Sequence, residues 1–344
     1  MRIADHLRGR DNNLNLLRAL AASAVILSHS VVLLTGNVDL EFLRSSLGMS
    51  LGDIAVDIFF LVSGLLVTGS LAKKKDLKAY FLARVRRIYP GLMVMLLLVN
   101  IPLGLWLTSL PWLDYLSSPA LIRNFFHNLI LVVSAWTGLP GVMADAPWPH
   151  AINGSLWTLT YEIRLYIWLA TCWAVSRLFK SRGNQAFGVA IFATWIAAFG
   201  AFLVAEDGYS GNPVPRLVLF FAAGMVLYVI REKVVLNWKW TLLVLAALVA
   251  AWFHGQAFRP AYGILMPYLI LVLAYLPSGF IRGYNRLGDY SFGLYIYAFP
   301  IQQVLVFLRP DDSPIVHTCL ALVLTMIPAW LSWNLVEKRF LHGR

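Results

Sequence analysis

Residues 48–71 read GMSLGDIAVDIFFLVSGLLVTGSL, a run whose only charges are Asp53 and Asp57. A helix rises about 1.5 Å per residue, so this run reaches about 36 Å and can cross a hydrocarbon core of about 30 Å. Similar runs recur from end to end. Ten are expected, over 14–35, 48–71, 91–109, 155–177, 187–205, 214–230, 239–255, 261–276, 288–308 and 315–336. The composition agrees, at 59% hydrophobic and 13% charged. That is about half the charge a water-facing surface carries. The expected fold is all-α, a polytopic membrane bundle of about ten transmembrane helices, with 1–344 as a single domain.

The net charge of +11 does not point to a nucleic-acid partner, because the basic residues lie between the apolar runs. With both termini cytoplasmic, the inner segments hold 22 of the 28 basic residues, including Arg2, Arg8, Arg10 and Arg344 at the two ends. Outer loops keep Arg44, Arg123, Arg259 and Arg309 beside acids such as Asp39, Glu41, Glu206 and Asp207. Two connections stand out. The basic stretch 72–90 is expected as a cytoplasmic loop, and 110–154 as a long extracytoplasmic loop. The apolar stretch 121–136 within the second contains Arg123 and His127, and is expected to be interfacial or re-entrant rather than an eleventh span. Such a span would put the basic cluster at 178–186 outside. The first span has no cleavage site after it and is expected to be retained. Cys172 and Cys319 fall inside spans, where they suggest neither a disulfide nor a metal site.

An ionisable side chain inside a span costs at least about 2.5–3.5 kcal/mol, which makes it a functional candidate. Arg18 and His29 are close to three helical turns apart. Both therefore lie on one face, about 16–17 Å apart along the axis, with Arg18 near one surface and His29 near mid-membrane. Neutral histidine takes protons at physiological pH; the plainer reading is a packing histidine beside a topological arginine. Asp53 and Asp57 stand one turn apart, so Asp57 can hold a neighbouring imidazole or guanidinium. Ser63-Gly64 follows, with Gly64 read as a helix-packing contact. Arg84 and Arg87 share a face and suit bidentate phosphate binding, whereas Lys73, Lys74 and Lys75 read as contacts to anionic headgroups. Glu162 shares a face with Tyr166, downstream of Trp157. A buried carboxylate needs a cation, for which Arg216 or the Arg18/His29 face is at hand. Tyr295 and Tyr297 are either cavity donors or interfacial tyrosines.

In sequence order, Asn15-Leu16-Leu17-Arg18 with His29, Val56-Asp57-Ile58-Phe59-Phe60-Leu61-Val62-Ser63-Gly64, Arg84 with Arg87 ahead of Ile88-Tyr89-Pro90, Ser155-Leu156-Trp157-Thr158-Leu159 with Glu162, Tyr290-Ser291 with Gly293-Leu294-Tyr295, and Leu335-Val336-Glu337-Lys338-Arg339-Phe340 resemble the acyltransferase 3 family of integral membrane acyltransferases. Many members have a histidine where this chain has Tyr297. The resemblance implies an enzyme of the bacterial cytoplasmic membrane. It would transfer an acyl group, usually acetyl, from acetyl-CoA or another acyl-CoA to a hydroxyl of a saccharide or lipid-linked glycan, without a metal. On that basis Arg84 and Arg87, with help from Arg18, are expected to hold coenzyme phosphates. His29 would act as general base or transient acyl acceptor, with Glu162 or Asp57 orienting it. Tyr295 or Ser63 would donate to the thioester carbonyl, and Trp157 would line the donor site. Two other classes stay open: a transporter or flippase using Arg18, His29 and Glu162 as a relay, and a sensor or scaffold with a degenerate site.

Overall fold

A computed structural model describes residues 2–341, apart from 8, 10 and 206–211. Arg8, Arg10, Arg344, Glu206 and Asp207 therefore lie outside the described residues. Each of the ten apolar runs contains a helix, with bounds that differ by a few residues. Helix α1 is Leu14–Thr35, α2 Leu51–Lys74 and α3 Leu77–Leu98. A π turn over Val99–Leu103 carries α3 on into Gly104–Leu107. Pro102, which lacks an N–H, sits in that turn. Helix α4 is Pro119–Ile130, α5 Leu156–Arg177, α6 Gly183–Val204, α7 Val214–Val229, α8 Trp238–Phe253, α9 Phe258–Tyr275 and α10 Ser291–Leu308. Helix α11, Pro314–Leu331, runs through a second π turn at Ser332–Glu337 into Lys338–Leu341.

Among the described residues there are no β-strands, only isolated bridges, and 7 helices are long and apolar enough to cross a membrane. Helices α7 and α8 are apolar but have only 16 residues each, and α5 carries Glu162 and Arg164. The chain is an integral membrane protein built as a helical bundle.

The stretch 72–90 is not a loop for most of its length. The chain turns at Lys75, whose φ is 51°, and Asp76 caps the N-terminus of α3 by accepting from the Lys78 amide. Arg84 and Arg87 are thus fixed on a helix. In 110–154, α4 has 12 residues and is too short to cross a bilayer. Ile122, Phe126 and Ile130 point outward from it, while Asn124 and Asn128 are buried. Both asparagines donate to the Trp136 carbonyl, which folds 131–138 back along the helix.

Helix α1 packs between α2, α10 and α11. It is pinned where Gln302 donates to the Ile26 carbonyl and to Ser30, each at 2.8 Å, and where the buried His317 meets Ser30 at 3.0 Å. Helices α2 and α7 touch backbone to backbone. A Cβ on Gly64 would lie 2.1 Å from the Phe221 carbonyl oxygen, and one on Gly224 2.2 Å from that of Leu61. Only glycine permits so close an approach.

Candidate active site

At the end of α1 that holds Arg18, four charges from four segments converge. Arg18 and Arg87 both donate to Oδ2 of Asp289, each at 2.6 Å, and Glu337 lies 3.7 Å from Arg87. Asp289 precedes α10 and also accepts from the amide and hydroxyl of Ser291. Burial by itself would push its carboxyl up; Arg18 and Arg87 outweigh that and hold it well below the usual carboxylate range. Phe59 and Phe292 face the two guanidiniums.

Arg84 shares the face of Arg87, as the spacing predicts, but its surroundings differ. Among the described residues it meets no carboxylate. It makes a long 3.4 Å contact to Ser70, its Nε is buried without a partner, and its guanidinium lies over the rings of Tyr80 and Tyr166.

Arg18, Arg84 and Arg87 line a cavity of about 330 Å³. Ser63, Glu162 and Tyr166 line it as well. Ser63 donates to Glu162 at 2.7 Å, Tyr166 donates to the same carboxylate oxygen, and Ser63 and Tyr166 lie 2.8 Å apart. Glu162 is therefore satisfied by two hydroxyls rather than by a cation.

His29 lines a second cavity of about 640 Å³, together with Trp157, Asp53, Arg44 and Arg216. Its Nδ1 is buried without a hydrogen-bond partner, and its ring meets Phe299 edge-on with centroids 5.2 Å apart. Gly154 makes room for that arrangement, since a Cβ there would lie 2.6 Å from the Phe299 ring. Around the cavity runs a chain of alternating charge. Arg44 bridges Glu41 and Asp53, and Arg216 joins Asp53 at 2.8 Å and Asp57 at 3.4 Å. Asp57 is fully buried and also accepts from Tyr262 at 2.7 Å.

Several expected groupings come out differently. Neither Asp57 nor Glu162 hydrogen-bonds to the imidazole. Asp57 holds a guanidinium, that of Arg216, and Glu162 lies in the arginine cavity. Trp157, expected beside the donor, lines the His29 cavity instead. Tyr295 lines both cavities. Arg18 and Glu162 line one cavity and His29 the other. Asp289 and Glu337 had no expected role, although both sit in short polar motifs beside apolar runs, and that position was the available signal. Among the described residues no three His, Cys, Asp or Glu side chains gather as metal ligands.

Comparison with known proteins adds an independent line. The model of an acyltransferase domain family matches residues 11–334. An O-acetyl transferase of Shigella phage Sf6 is 29% identical over 342 residues, covering 96% of this chain and 96% of that protein. Nodulation protein 10 of Rhizobium leguminosarum bv. viciae is 27% identical over 372 residues, covering 97% and 94%. Acyltransferase MdmB of Streptomyces mycarofaciens is 26% identical over 281 residues, covering 73% and 68%. No solved structure matches the chain.

Proposed function

This chain belongs to the acyltransferase 3 family and is an acyltransferase, and we propose that it moves an acetyl group from cytoplasmic acetyl-CoA to a hydroxyl of a saccharide in a surface or secreted glycan. The observation that carries the reading is the pair of cavities, one with an arginine that meets no carboxylate among the described residues and one with a histidine whose Nδ1 has no hydrogen-bond partner there, which meet at Tyr295.

The donor enters the smaller cavity. Arg84, which meets no carboxylate among the described residues, takes a coenzyme phosphate. Arg18 and Arg87 add positive potential while Asp289 holds them in place. The pantetheine arm is about as long as the separation of Arg18 and His29 along α1, so it can carry the thioester past Ser63 and Glu162 toward Tyr295. The saccharide occupies the larger cavity, with Trp157 as an apolar platform. His29 Nδ1 is buried, which leaves Nε2 as the nitrogen offered to the acceptor. It takes the hydroxyl proton as the hydroxyl oxygen bonds to the acyl carbon. The carbon–sulfur bond then breaks, and the thiolate receives the proton from the imidazolium. Tyr295 or Ser63 donates to the carbonyl oxygen as charge builds there.

The purified protein, reconstituted in lipid and given radiolabelled acetyl-CoA with a panel of glycans, should label a glycan and release free coenzyme stoichiometrically. Failure to consume acetyl-CoA with any acceptor would overturn the donor assignment.

A further inference from the structure

The two cavities have three lining residues in common: Val56 of α2, Thr158 of α5 and Tyr295 of α10. Two of the three are bonded across the junction. The Tyr295 hydroxyl and Thr158 Oγ1 are hydrogen-bonded to each other, and both hydroxyls also reach the Ser155 carbonyl, at 3.0 Å from Tyr295 and 3.2 Å from Thr158. Helix ends hold the pair from behind. Asn153 donates to the Ile296 carbonyl, and Ser155 donates to that of Tyr295, which laces the start of α5 to α10. The Tyr295 ring is backed by Phe59, with centroids 5.7 Å apart. The arginine cavity and the histidine cavity therefore adjoin where the side chains of Thr158 and Tyr295 meet.

We propose that Thr158 and Tyr295 form a gate between donor and acceptor chambers, closed by their mutual hydrogen bond, and that the acyl group reaches His29 only when the pair parts. The inference rests on the acyl-CoA reading above. A gate gives the enzyme a physical means of keeping water and His29 from the thioester until the acceptor is seated, because wasteful hydrolysis needs the same opening as transfer. It is made of side chains, and rotamer changes are fast and cost little compared with moving helices.

The test is a reversible plug. Thr158→Cys, placed in a Cys172→Ser, Cys319→Ser background, is treated with a benzyl methanethiosulfonate and later with reductant. The benzyl adduct should cut transfer at least about tenfold while acetyl-CoA affinity stays within about twofold, and reductant should restore transfer in the same preparation. Recovery excludes misfolding. Transfer that persists through a fully formed adduct means that the acyl group travels another way, and overturns the gate. As a second variant, Thr158→Val removes one hydroxyl of the closing pair while leaving Tyr295 in place, and should raise acetyl-CoA hydrolysis without acceptor several-fold. Unchanged hydrolysis there would count equally against it. Wild-type protein that neither binds nor consumes acetyl-CoA would instead defeat the donor assignment itself.

Discussion

Arg18 and Arg87 come from helices far apart in sequence and donate to one and the same carboxylate oxygen of Asp289, each at 2.6 Å. Two like charges held so close are stable only because an anion lies between them, and Glu337 supplies a second negative charge on the Arg87 side. Arginines that look like phosphate ligands are thereby tied into an internal salt network. Of the three, Arg84 is the one that meets no carboxylate among the described residues.

Asp289→Asn keeps the shape and removes the charge, leaving two facing guanidiniums uncompensated. Breaking one partner of a largely buried pair costs about 3–5 kcal/mol, so the variant should melt well below wild type in thermal unfolding. The pH dependence has a definite sign. Because the folded carboxyl is held low, its stabilisation is complete above the unfolded value of about 4 and fades as pH falls through the folded one. Asp289→Asn should lose that acid-side slope, and an identical slope in both proteins would refute the assignment.

Arg84→Ala should weaken acetyl-CoA binding about tenfold or more with little change in melting temperature, since charge-assisted hydrogen bonds contribute about 1.5–3 kcal/mol. Arg87→Ala should do the reverse in emphasis, lowering stability first by stranding Asp289 and Glu337. Calorimetric titration and thermal melts on both variants separate the two roles, and equal effects of the two substitutions would contradict the division.

His29→Ala should reduce transfer by about 100-fold or more while membrane insertion and acetyl-CoA affinity remain. Mass spectrometry of wild type quenched during turnover should find no acyl group on the histidine, as expected of a base rather than a covalent carrier. Full activity in His29→Ala would remove it from the mechanism.

Gly154→Ala places a Cβ 2.6 Å from the Phe299 ring, the ring that meets His29 edge-on. The displaced ring should misplace the imidazole and lower kcat, with donor affinity unchanged, because small shifts of a catalytic group cost rate steeply. Steady-state kinetics with a parallel binding measurement would read this, and a normal kcat would show that Phe299 does not position His29.

Much of this site was legible along single helices. The spacing of Arg18 and His29 put one at each cavity, that of Arg84 and Arg87 put both on one face, and that of Glu162 and Tyr166 made them neighbours that now share a hydrogen bond. The helical state of 77–90 was not legible. Its charges and its Pro90 resemble a loop, yet Asp76 caps a helix that the proline does not end.

By itself the sequence determined that the chain lives in a membrane, roughly where it crosses, and which side chains on each helix point the same way. Those properties depend on residues within a few turns of one another, through hydropathy and a period of about 3.6. Only the tertiary structure decided which carboxylate meets which arginine. Arg18 lies 271 positions from Asp289, and Asp57 lies 159 from Arg216. Such pairings follow from how closely helices approach, as Gly64 and Gly224 allow α2 and α7 to do, and no local pattern encodes that distance. For the same reason the junction of the two cavities at Thr158 and Tyr295 forms only when α5 and α10 are brought together.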